Sequence, residues 1–83
     1  MLTIKILGSG CANCKQLAAL AQLAAERTGT PAEFIKVTEY PEIMKYNILS
    51  TPGLVINEKL VSAGRIPSVE EISNFIQQAA AQA

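Results

Sequence analysis

Gly8-Ser9-Gly10-Cys11-Ala12-Asn13-Cys14-Lys15 holds both cysteines of this 83-residue chain. An apolar run, Leu2 to Leu7, leads into it and a long Ala/Leu-rich segment leaves it, so a strand ends and a helix begins here. Gly8 and Gly10 let the backbone turn sharply, and Asn13 or the residues just before it can cap the helix. With two residues between them, the Cys11 and Cys14 sulfurs share the first helical turn. They are close enough to form a disulfide or to grip one soft metal ion together.

Working outward, Leu2, Ile4 and Ile6 share one strand face, while Thr3, Lys5 and Leu7 share the other. Past Cys14, Leu17, Leu20, Ala21 and Ala24 recur at helical spacing until Thr28-Gly29-Thr30-Pro31, where glycine and proline stop the helix. Ala32 to Val37 reads as a second strand, which makes a right-handed parallel βαβ unit. Tyr40 to Tyr46 fits a short helix with Pro41 in its first turn and Met44 as core filler. Leu54 to Ile56 and Leu60 to Ala63 form a hairpin across Asn57-Glu58-Lys59. Ser68-Val69-Glu70-Glu71 is a capping box, and Val69, Ile72, Phe75, Ile76 and Ala79 give the closing helix one apolar stripe. An Ala/Gln tail after Gln78 is expected to fray. The order is β-α-β-α-β-β-α in one domain over residues 1–83.

Composition excludes several functions. Seven basic and seven acidic residues give zero net charge, with no run of either sign. A nucleic-acid partner needs a basic face, and an anionic membrane surface needs a basic cluster, so neither is expected. Lys5 interrupts the first apolar run, which is too short for a signal core or a membrane span. One Cys-x-x-Cys without other thiols suggests a reducing compartment, hence the cytoplasm. A structural disulfide closing so short a loop would stabilise little, and a closed zinc site wants four ligands in a chain that has no histidine. The Gly8-Ser9-Gly10 run lacks the spacing of a phosphate loop.

Cys11-Ala12-Asn13-Cys14 at a helix start, Thr51-Pro52 just before the third strand, then a hairpin and Ala63-Gly64-Arg65 before a last helix together resemble a thioredoxin-fold protein. The likeness is greatest to the small glutaredoxin-sized members called redox-active disulfide proteins, and it spans Leu2 to about Gln78. It implies an α/β minimal thioredoxin fold: a four-stranded mixed sheet in the order second, first, third, fourth strand, with helices on both faces. It also implies a cis Thr51–Pro52 bond facing the thiols, and substrate contacts at Thr51, Pro52, Gly10 and Ala12. The chain departs from ordinary thioredoxins in having Gly10 for the preceding tryptophan and Ala12-Asn13 for Gly-Pro, and it has Pro67-Ser68 where glutaredoxins carry an acidic pair.

The implied activity is thiol–disulfide exchange by an oxidoreductase. A helix start favours the thiolate, so Cys11 attacks a disulfide and Cys14 resolves the adduct. Lys15 adds positive charge nearby, Lys5 is a candidate proton partner for Cys14, and Arg65 is a candidate for steering an anionic substrate. The expected partners are a disulfide-bearing protein or small disulfide and a reductase that donates electrons. The expected form is a monomer with no cofactor beyond the Cys11–Cys14 couple. The rival reading is a soft-metal carrier holding Cu(I) on the two thiolates. Small copper-chaperone domains, however, place a methionine where this chain has Ser9 and close on a strand, whereas this chain closes on a capped helix.

Overall fold

The computed structural model describes residues 2–8, 12–48 and 50–82. Strand β1 (Leu2–Leu7) is central because it is apolar on both faces, with Leu2, Ile4, Ile6 and Leu7 all buried. Strand β2 (Ala32–Val37) lies parallel to it, Leu2 opposite Ala32 and Leu7 opposite Val37. On the other side β3 (Gly53–Ile56) runs antiparallel, Ile4 opposite Ile56 and Leu7 opposite Gly53, and β4 (Lys59–Ala63) completes the hairpin. The sheet order is therefore β2-β1-β3-β4. The sheet is mixed: the crossover through the long first helix returns the chain parallel in β2, whereas the chain enters β3 reversed and the two-residue turn reverses it again into β4.

Helix α1 (Ala12–Thr28) and helix α3 (Val69–Gln82) pack together on one face. Their stripes, Leu17, Ala21 and Ala24 from α1 and Ile72 and Ile76 from α3, close over Leu2, Ile4, Ile6, Leu54 and Ile56. Small alanines on α1 let that helix lie close to the sheet. Its end is a Schellman motif: Gly29 has φ +66°, its N–H donates to Glu26 O at 3.1 Å, and Thr30 N–H donates to Ala25 O at 3.1 Å. The second face carries only the short α2 (Tyr40–Met44) and a smaller cluster of Leu7, Ile43, Ile48 and Val55. Among the described residues no helix is long and apolar enough to cross a membrane.

The hairpin turn has φ 51° at Asn57 and 68° at Glu58, two left-handed residues that match the twist of the flanking strands. Asn57 latches it to β1, its N–H donating to Thr3 O at 2.8 Å and its Oδ1 accepting from Thr3 N–H at 3.0 Å. The turn is Asn57-Glu58 alone: Lys59 already pairs with Ile56, and β3 starts one residue earlier than the sequence suggests, at Gly53. A register shift at Leu54/Val55 sets Leu54 opposite Ser62 and Val55 opposite Leu60.

Several other expectations need correction. Helix α2 stops at Met44, and Met44 is 57 % exposed, because only Ile43 of so short a helix reaches the sheet. Helix α3 runs through the Ala/Gln tail to Gln82, since alanine and glutamine sustain a helix once packing has nucleated it. The capping box is half formed. Ser68 Oγ accepts from Glu71 N–H at 3.2 Å, but the Glu71 carboxylate turns to Arg65 Nη2 at 2.7 Å.

Candidate active site

The C-terminal ends of β1 and β2, the first turn of α1 and the segment entering β3 meet at one end of the sheet. Cys14 is the third residue of α1 and the top of its buried stripe, with Leu17, Ala21 and Ala24 below it at helical spacing. It is only 5 % exposed. Gly8 leaves β1 directly beneath it, fixed by its N–H donating to Val37 O at 2.9 Å. A Cβ at Gly8 would run into Cys14 Sγ, and would lie 3.3 Å from Cys14 Cβ and 3.9 Å from Thr51 Cβ. Glycine is required here by the close approach of the sulfur to the backbone. The same spot brings Cys14 and Thr51 to a common neighbour, although they are far apart in sequence.

The Thr51–Pro52 peptide bond is cis. Pro52 is buried and Thr51 exposed, so the residue beside the sulfur faces solvent while the next is anchored in the fold. Gly64 N–H donates to Pro52 O at 2.9 Å, tying this segment to the end of β4. No hydrogen bond joins the Thr51 backbone to another described residue outside the strands. Ala12 opens α1 and is exposed. Cys11 and Gly10 lie outside the described residues.

Two residues that the sequence did not single out for chemistry, Lys36 and Thr38, also belong here. Gly8, Lys36 and Thr38 line a cavity of about 50 Å³ together with Ile6, Cys14 and Lys15. The signal was available in the βαβ unit: parallel pairing puts Ile6 opposite Lys36, so whatever ends β2 must stand beside the start of α1. A larger cavity of about 320 Å³ adjoins through Lys36 and Thr38 and extends toward Glu39, Glu42 and Tyr46.

The two other cations weighed for chemistry are engaged elsewhere. Lys5 Nζ pairs with Glu58 Oε1 at 2.5 Å and donates to Tyr46 Oη at 2.9 Å, while Tyr46 donates onward to Glu58 Oε2 at 3.0 Å. Its side chain is 21 % exposed, and it lies 5.6 Å from the Tyr46 ring centre. Hydrogen bonding to Glu58, then to Tyr46, pushes the Lys5 ammonium well above its ordinary range. The Glu58 carboxyl is held below its usual range by Lys5 first and Tyr46 second. Lys5 is thus a strut between β1, the hairpin and the α2–β3 connection, and it does not line the cavity at Cys14. Arg65 likewise holds the Glu71 carboxyl low, chiefly through their hydrogen bond.

A family model described as a thioredoxin domain matches residues 2–77. A thioredoxin of Methanothermobacter thermautotrophicus is 38% identical over 76 residues, covering 92% of this chain and 99% of its own. A thioredoxin of Methanocaldococcus jannaschii is 42% identical over 77 residues, covering 93% of this chain and 88% of its own. Among solved structures, the oxidised thioredoxin from Plasmodium falciparum superposes with a TM-score of 0.62 at 25% identity, over 95% of this chain and 81% of that one.

Proposed function

Because the chain belongs to the thioredoxin-domain family, we propose that it is a thiol–disulfide oxidoreductase that reduces partner disulfides through Cys11 and Cys14. The Cys11 thiolate attacks one sulfur of the client disulfide, forming a mixed disulfide and releasing the client's other sulfur as a thiolate. The Cys14 thiolate then attacks the Cys11 sulfur, closing the Cys11–Cys14 bond and releasing the second client thiolate. Two electrons pass to the client, whose thiolates take protons from water. A disulfide reductase reloads the pair, so no further cofactor enters the cycle. The client is a protein or a small disulfide, and the protein acts as a cytoplasmic monomer.

The observation that carries this reading is the convergence at Gly8, where Cys14 Sγ and Thr51 border one glycine beside a solvent-facing stretch of backbone. An extended client segment can pair with Thr51 as an added strand, which would hold its disulfide over the first turn of α1. Helix N-terminal N–H groups there favour a thiolate.

An insulin-type reduction assay tests the roles. Cys11→Ser is expected to abolish turnover, and Cys14→Ser to accumulate a mixed disulfide that mass spectrometry detects. Equal loss in both variants with no trapped adduct, accompanied by tight Cu(I) binding to the reduced protein, would replace this reading with metal carriage.

A further inference from the structure

We infer that the centre prefers clients with a carboxylate-bearing residue next to the target disulfide, and that Lys36 on β2, assisted by Lys15 on α1, sets that preference. The inference rests on the oxidoreductase reading and specifies its client: a protein segment with Asp or Glu adjoining the cysteine.

Among the described residues, the cavity at Cys14 is lined by two lysines and by no acidic side chain. Both lysines are exposed, and neither enters an ion pair or side-chain hydrogen bond with another described residue. Of the five cations elsewhere, three are matched: Lys5 by Glu58, Lys45 by Glu42 at 3.0 Å and Arg65 by Glu71 at 2.7 Å. Arg27 at the end of α1 and Lys59 on β4 stand apart from this cavity, so among the described residues Lys15 and Lys36 are the unpaired cations that border the sulfur. The chain has no net charge, so any attraction for an anion is local to this end and not a property of the whole surface.

Position sharpens the preference. Beyond Lys36 and Thr38 the adjoining cavity meets Lys5, Glu39 and Glu42; Lys5 is paired with Glu58 and Glu42 with Lys45, which leaves Glu39 as the unpaired charge at that end among the described residues. The unpaired cations Lys15 and Lys36 border the sulfur, and the unpaired carboxylate Glu39 stands beyond them. A client carboxylate gains from the two lysines only when it lies within a residue or so of the disulfide, since exposed charges attract measurably over a few ångströms and are screened beyond about 10 Å at 0.1 M salt. Because such charges act on encounter, the effect belongs in kcat/KM and falls with salt.

The test uses three peptides that share one disulfide and carry Asp, Ser or Lys beside it, reduced by the intact protein with a small-dithiol regenerant. At low ionic strength the Asp peptide is expected to exceed the Lys peptide in kcat/KM by about tenfold, the margin of two nearby exposed charge pairs, and to lose that lead in 0.5 M salt. Lys36→Glu should invert the order, Lys15→Glu should narrow it, and Lys36→Arg should retain it. Equal rates for the Asp and Lys peptides, or an order indifferent to Lys36→Glu, overturn the preference while leaving the oxidoreductase reading intact. Failure of the unaltered protein to reduce even the Ser peptide would remove that reading itself.

Discussion

The two faces of the sheet are built unequally. One carries two long helices over Leu2, Ile4, Ile6, Leu54 and Ile56; the other carries α2, Ile48 and a polar strut of Lys5, Tyr46 and Glu58. The well-covered face supplies the apolar burial on which a chain of this size depends. The thin face holds the α2–β3 connection, and through it the approach to Thr51 and Pro52. The site stands where the two meet: Cys14 comes down from the thick face, and the prolyl segment arrives from the thin one. The reactive end thus borders the two-helix layer on one side and, on the other, a strand entry held by buried Pro52 and its hydrogen bond from Gly64.

Core truncation tests this inequality most strongly. Ile72 is fully buried under α1 and the sheet, and Ile72→Ala is expected to cost about 2–5 kcal/mol, read from urea denaturation. Ile43→Ala, from the smaller cluster, should fall at the low end of that range; equal losses would mean the faces share the load evenly.

At the border, Gly8→Ala forces a methyl into Cys14 Sγ. It should destabilise by about 1–3 kcal/mol through overpacking and reduce turnover at least about tenfold. Unchanged insulin reduction would show that the sulfur has room to retreat.

The smallest effect belongs to the strut. The Glu58 carboxyl lies lower in the folded chain than in the unfolded one, so its contribution is present above the unfolded value, near pH 4.3, and fades as pH falls through the lowered folded value. The stability gap between the protein and Lys5→Met should therefore narrow on acidification below about pH 4 and also narrow with salt. The raised Lys5 ammonium loses its share only at strongly alkaline pH. Solvent exposure keeps the gap modest. A gap that ignores both pH and salt would assign Lys5 a packing role through its aliphatic stem.

Much of this was legible in the residue order. Leu17, Ala21 and Ala24 predicted the buried side of α1, Ile72 and Ile76 that of α3, and the stripe on α1 extended upward lands on Cys14. Met44 misled because apolar character says nothing of reach, and a helix this short turns one residue inward. Glu71 misled because its box partner competes with an arginine that only the loop from β4 brings near.

The sequence alone determined the elements, their order and the faces they bury, since periodicity and turn chemistry are local and act over a few residues. Tertiary structure decided which distant residues became neighbours: Thr51 beside Cys14, Lys36 at the cavity's rim, Lys5 held by Glu58 and Tyr46. Those pairings depend on strand register and on the connections between layers, which become fixed only when the whole core closes.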